Sequence, residues 1–440
     1  MATKRPLSEV QGTDDSDRPL TKRRSEVDPE SLAPSETLHK LSYPPTTTPT
    51  ASKPIPFQQP STLLTFSYTP DRVLEFNNSA MKHYVDPPQG AELSYGYDRW
   101  IKRPDEKGRI DHLLKAWVKV RGGGSGGGIG VVLWRGVMTK ILIAPYEDRE
   151  GWDLNVMCIN GTMFFEEHLW DERLKEKNDM APRQRTQTYY GYAFESWCTS
   201  SNPKRPEALP GHRRGWGGDV DTNVQWCNVI KTKLGDTRMV IGGEVDCVRG
   251  DYNGRNDNLV ELKTSMSIRG PQDEARFEKK LLKFYFQSFL LGVPEIVVGF
   301  RTPNGKLTTI QSFKTLHLPR LVRGKPGAWD PSICLDWGDR FLSFLKGHVG
   351  QKETAGPEPK VWRVRFVPGV GVSASLLDEE GVKEVEGGED RVGFLPKWYW
   401  DEEVGKEDKV LPEVSAASET SGGTGDGEEA STTVPSGWQI

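Results

Sequence analysis

No two of the five cysteines, at positions 158, 198, 227, 247 and 334, are spaced as C-x-x-C. That excludes zinc ribbons and fingers and leaves an odd set suited to a reducing compartment with mostly buried thiols. The seven histidines include no H-x-H or H-x-x-x-H, so neither a histidine metal site nor a histidine-centred triad has support. Apolar runs are short: residues 141–144 and 296–298 fall far below the roughly 18 residues of a membrane span. No apolar stretch follows the charges of Lys4 and Arg5, so a secretory leader is not expected.

Enough apolar material remains for a sizeable core, since 35% of the 440 residues are hydrophobic and 14 are Trp. It is unevenly spread. Residues 1–60 are crowded with Pro, Ser, Thr and charge, and residues 401–440 hold ten acids against Lys406 and Lys409, a net charge of −8. Both ends read as disordered, leaving residues 61–400 for one large domain or two intimate ones. Without the tail the chain carries +4, which permits phosphate ligands without demanding them. Lys4-Arg5 and Lys22-Arg23-Arg24, 16 residues apart, have the shape of a two-part nuclear import signal.

The glycine run at 122–128 contains G-x-G-x-x-G but leads into the strand-like Val131-Val132-Leu133-Trp134. A nucleotide cradle needs a helix there, so the run reads as a flexible loop. Asn160-Gly161 and Pro303-Asn304-Gly305 mark hairpins. Strands are predicted at 187–197, 224–233, 238–248 and 258–266. A helix is predicted over 274–291, ended by Gly292, with Arg276, Lys280, Lys283 and Gln287 as a polar stripe.

Alternation along 241–247 puts Glu244 and Asp246 on one strand face, and Glu261 and Lys263 share a face of the next strand. If those strands pair, four charged groups converge. Clustered carboxylates repel unless a cation neutralises them, and hard oxygen donors select Mg²⁺ or Mn²⁺. The plainer reading is an exposed strand with ordinary cross-strand charge pairs. Tyr189-Tyr190-Gly191-Tyr192-Ala193-Phe194 brings a further acid, Glu195, to the end of an aromatic strand. Arg135 stands alone in an apolar strand, where a planar fork could hold phosphate or simply pair with a buried acid. Residues 203–216, rich in Pro, Arg and Lys with His212 and Trp216, form a loop able to bind phosphate and stack a base.

The upstream Glu with Asp...Glu-x-Lys resembles the PD-(D/E)xK nuclease superfamily. More specific are Trp134-Arg135-Gly136, Thr139-Lys140, Pro145-Tyr146-Glu147, GYAFE ending at Glu195, GEVDC at 243–247, ELKTS at 261–265 and QSFLLGV from Gln287. In this order they are similar to the DXO decapping nuclease family, in its fungal nuclear branch of Rat-interacting proteins, over about residues 60–400. The resemblance implies a single α/β domain with mixed β-sheets flanked by helices and a PD-(D/E)xK nuclease-like active site. It implies removal of pyrophosphate from 5′-triphosphate RNA and of unmethylated or NAD caps, in partnership with a nuclear 5′-3′ exoribonuclease of the Rat type. Carried over, Glu195, Asp246, Glu261 and the Leu262 carbonyl would bind metal, two ions of Mg²⁺ or Mn²⁺. Glu244 would act through a metal-bound water, Lys263 would support the attacking water, and Arg135 and Gln287 would hold substrate phosphates, with Lys283 beside them on the stripe. The rival expectation is a mainly non-catalytic partner that stabilises the exoribonuclease.

Overall fold

The structure, a computed structural model, describes residues 38–44, 46, 53–122, 128–202, 211–349 and 359–404. The paired basic clusters, residues 123–127 of the glycine run, residues 203–210 of the basic loop and the tail beyond residue 404 lie outside them.

Two mixed sheets carry the domain. The larger runs in the order His39–Ser42, Gly371–Leu376, Trp362–Val367, Trp152–Ile159, Thr162–His168, Val131–Trp134, Thr237–Glu244, Gln225–Leu234, Ser61–Tyr68 and Leu74–Glu75. Its pairs are antiparallel except around Val131–Trp134, which is parallel to both neighbours. The smaller runs Leu307–Lys314, Glu295–Arg301, Leu259–Met266, Cys247–Val248, His83–Tyr84 and Thr199–Ser200. The Asn-Gly hairpin forms as predicted, with Asn160 at φ 50° and Gly161 at φ 75°, the left-handed pair a two-residue loop requires.

Helix Pro271–Leu291 ties the sheets together. Pro271 occupies its first turn and Gly292, at φ 70°, caps its end. Its apolar face, including Phe277, Leu281, Tyr285, Phe286 and Phe289, is buried and packs against Thr237–Glu244 of one sheet and Leu259–Met266 of the other. At about 1.5–3 kcal/mol per fully buried large side chain, this face fixes how the two strands meet. No described helix is long and apolar enough to cross a membrane.

Four expectations need correcting. Residues 187–197 form no strand: Pro182–Trp197 is a helix, whose buried Tyr189, Tyr190, Ala193, Phe194 and Trp197 recur at helical spacing. Aromatic content alone had suggested β structure. Arg135 does not extend a strand but opens helix Arg135–Ile143. The 238–248 stretch is broken, because Thr237–Glu244 and Cys247–Val248 belong to different sheets.

The last correction concerns the arm. His39–Ser42 pairs with Gly371–Leu376, and Phe57 is buried at 1% exposure, so ordered structure begins well before residue 61. Similarly, helix Lys397–Val404 runs past residue 400, with Glu402 and Glu403 paired to Arg121. A fragment of residues 61–400 should therefore melt about 5 °C below one of residues 38–404, from lost burial of Phe57 and a lost edge strand. Paired thermal melts check this; equal midpoints would contradict it.

Candidate active site

The acids meet where the chain changes sheets. Glu244 ends its strand in the large sheet, the Val245 amide still bonds the Trp226 carbonyl, and Cys247 then enters the small sheet beside Val260. Asp246 lies in this crossing. Thr237–Glu244 does not pair with Leu259–Met266, yet Asp246 reaches it: the Leu262 amide donates to Asp246 Oδ2 at 2.6 Å. Pairing with Cys247–Val248 covers only Leu259 and Val260. A strand residue's N–H and C=O project to the same edge, so the Leu262 carbonyl faces the same gap. Helix Pro182–Trp197 packs on Leu259–Met266 and brings Glu195 in from the side.

Glu261 is fully buried. Its Oε2 accepts from Arg135 Nη1 at 2.9 Å and its Oε1 from Lys263 Nζ at 2.5 Å. Burial pushes its carboxyl up, but Arg135 and Lys263 outweigh burial and hold it at about 2. The other acids lack that compensation. Burial, with Glu261 close by, pushes Asp246 up to about 7. Burial and the charges of Asp246 and Glu244 drive Glu195 well above its ordinary value. Glu244 is raised by burial despite Arg135. Burial lowers Lys263 and Arg135, but the surrounding carboxylates overcome it and keep both cationic.

The predicted set is thus largely brought together. Gln287 joins it through its backbone, its carbonyl lying 3.4 Å from Arg135 Nη1. Lys283 is exposed, one turn away along the same helix. Desolvation, with Lys140 and Lys263 nearby, lowers its pKa. The described end of the basic loop does not reach these acids: Trp216 is buried and Arg213 stacks on Tyr95 and pairs with Glu92.

Several residues of the site were missed. Glu195, Glu244 and Asp246 share a cavity of about 40 Å³ with Lys82 and Gln225, and Tyr192 is held above its ordinary value by burial and by Glu195 and Glu244. Gln225 was legible in principle. The Gly235-Asp236 turn pairs Glu244 with Cys227, which leaves Gln225 beside the same strand end.

These residues fit a hard divalent cation. The donors are all oxygen, Glu261 is buried and Glu195, Glu244 and Asp246 are half-buried, and together they are more negative than Lys263 and Arg135 can neutralise. Among the described residues no three His, Cys, Asp or Glu side chains already close on one ion, consistent with Glu261 being drawn onto Arg135 and Lys263.

Glycines allow the crowding. A Cβ on Gly243 would lie 2.9 Å from the Arg135 Cβ, and one on Gly299 would lie 2.4 Å from the buried Phe194 ring. Phe194 precedes Glu195, so Gly299→Ala should cost about 1–3 kcal/mol and shift the helix that carries this acid. Denaturant melts alongside single-turnover rates test it; a variant with unchanged stability and rate would contradict the close fit.

An acidic cluster with a Glu-x-Lys strand, at the junction of mixed sheets, defines a nuclease centre of the PD-(D/E)xK type. The chain belongs to the family described as RAI1-like PD-(D/E)XK nuclease, whose model matches residues 58–400. It is 36% identical over 80% of its length to "Decapping nuclease RAI1" of Cryptococcus neoformans, covering 96% of that protein. It is 33% identical over 79% of its length to the human "Decapping and exoribonuclease protein", covering 86% of it. Among solved structures, S. pombe Rai1 in complex with 3′-FADP matches with TM-score 0.63 at 27% identity, over 78% of this chain and 100% of that one. Candida albicans Rai1 in complex with pU5-Mn²⁺ shares the fold, with TM-score 0.70 at 24% identity, over 84% of this chain and 99% of that one.

Proposed function

We propose that this protein is a divalent-metal-dependent hydrolase of RNA 5′ ends. It removes pyrophosphate from 5′-triphosphate RNA and excises unmethylated or NAD caps, acting in the nucleus beside a Rat-type 5′-3′ exoribonuclease. The observation that carries the catalytic part is the excess of carboxylate at the half-buried Glu195, Glu244 and Asp246, around one small cavity beside the fully buried Glu261 and its partner Lys263. A protein whose only task was to stabilise a partner would have no use for so costly a cluster. The decapping names of relatives that share over two thirds of the chain support the substrate class.

Glu195, Asp246, Glu261 and the Leu262 carbonyl would hold Mg²⁺ or Mn²⁺, two ions. When bound, the metal activates water and stabilises the leaving oxygen. Glu244 orients the attacking water. Lys263, cationic and 2.5 Å from Glu261, offers positive charge where the phosphoryl group gains negative charge. Arg135, Gln287 and Lys283 grip phosphates along the exit of the chain. Nuclear entry rests on Lys4-Arg5 and Lys22-Arg23-Arg24.

The test is to incubate the full chain and Mn²⁺ with 5′-labelled triphosphate, unmethylated-capped, NAD-capped and monophosphate RNAs and identify the products. Pyrophosphate and intact cap species are expected from the first three; mononucleotides alone, or no release, would contradict the proposal.

A further inference from the structure

Arg72 is one of two described non-glycine residues in the left-handed region, at φ 61°. It sits at the tip of the hairpin between Ser61–Tyr68 and Leu74–Glu75, closed by the Arg72 amide on the Thr69 carbonyl at 2.9 Å and the Thr69 amide on the Val73 carbonyl at 3.0 Å. Glycine is the default residue for that position. An arginine held there carries strain, which persists where its side chain is used.

The side chain points along the sheet edge toward the acids. The half-buried guanidinium lies 3.5 Å over the Tyr68 ring. Its Nη1 donates to the Asn223 carbonyl at 2.9 Å and to Gln225 Oε1 at 2.6 Å. Gln225 Nε2 in turn donates to Glu244 Oε2 at 2.9 Å. Arginine has only donors, so its contact obliges the Gln225 amide to present oxygen to Arg72 and nitrogen to Glu244. The chain of contacts ends in the small cavity that Glu195, Glu244 and Asp246 line.

We propose that Arg72 and Gln225 are positioning residues for hydrolysis: the Arg72 guanidinium sets the orientation of the Gln225 amide, and that amide holds the Glu244 carboxylate toward the attacking water. The inference rests on the function proposed above and adds to it two residues that touch neither substrate nor metal. Hydrogen-bond partners behind an active carboxylate commonly govern rate or metal affinity by about 10- to 100-fold.

Arg72→Gly removes the guanidinium while accepting the left-handed backbone at no steric cost, so the hairpin should survive. Gln225→Leu removes the amide at nearly constant volume. In the full chain with Mn²⁺ and 5′-triphosphate RNA, each is expected to lower the single-turnover rate at saturating RNA about 10-fold. RNA affinity by filter binding and the melting temperature should change little. The double variant should be no slower than about the slower single, because both act through one contact path. Calorimetric titration of Gln225→Leu with Mn²⁺ alone should show weaker binding than wild type, by about 10-fold. Rates within twofold of wild type, losses that track a lowered melting temperature, or losses that multiply in the double variant would overturn the inference while leaving the proposed function intact. Failure of the wild-type chain itself to release pyrophosphate would overturn both.

Discussion

Replacing Lys263 with Ala is expected to slow single-turnover release of pyrophosphate or cap at least about 10²-fold while leaving RNA affinity nearly unchanged. Lys263 is raised in pKa by Glu261 and Asp246 against the effect of burial, so it stays cationic. Its Nζ lies beside Glu261 and Asp246, and in the function proposed above these acids would flank the reacting phosphate, where negative charge grows during displacement. An interaction made only in the transition state lowers rate and not binding, and removal of one preorganised donor costs about 10²–10³ in rate. Arg135→Ala should behave differently. Arg135 shares fully buried Glu261 with Lys263, so its loss should weaken RNA binding and also cost about 3–5 kcal/mol of stability, as expected when one partner of a buried pair is removed. Single-turnover rates, filter binding and denaturant melts separate these outcomes. Near wild-type rates for Lys263→Ala with every substrate class would favour the partner-stabilising reading.

Asp246→Asn should abolish turnover and, with it, the stabilisation by Mn²⁺. The pH dependence has a definite sign. Asp246 ionises near 3.8 when unfolded and at about 7 in the fold, so the folded state holds its proton longer. Its contribution to stability is present below about pH 4 and is lost as pH rises through about 7. The metal-free wild type should therefore lose stability over this window, and Asp246→Asn should lose less. A bound cation reverses the penalty, and protons compete with it. At about 100 times the dissociation constant, Mn²⁺ should stabilise the wild type by about 2.7 kcal/mol, with the effect growing from pH 5 to 7.5. Thermal melts with and without Mn²⁺ test this. An equal Mn²⁺ shift in Asp246→Asn would remove the residue from the metal site.

The sequence carried the Glu261–Lys263 relation outright, because alternation along a strand is local and independent of tertiary context. Glu244 and Asp246 also end in one site, but for a reason alternation does not contain. The chain leaves one sheet at Glu244 and joins another at Cys247, and a run of seven residues gives no sign of that break. Glu195 was identified through its motif while its helix was missed: aromatic residues favour strands, yet the spacing of Tyr189, Ala193, Phe194 and Trp197 already fitted a helix. For Arg135 the sequence leaves a phosphate grip and a buried acid pair both open, and it does not name the acid. Its partner Glu261 lies 126 positions away, a distance that only the sheet topology closes. Arg72 offered no signal, since left-handed backbone at an arginine goes against residue preference.

The most direct measurement is single-turnover cleavage of 5′-labelled triphosphate RNA by the full chain, begun in EDTA and continued after addition of Mn²⁺, with Asp246→Asn in parallel. Release of labelled pyrophosphate that starts only with Mn²⁺ in the wild type and stays absent in Asp246→Asn is the expected result. Release in EDTA, or equal release by the variant, would contradict a metal-dependent centre built on these acids.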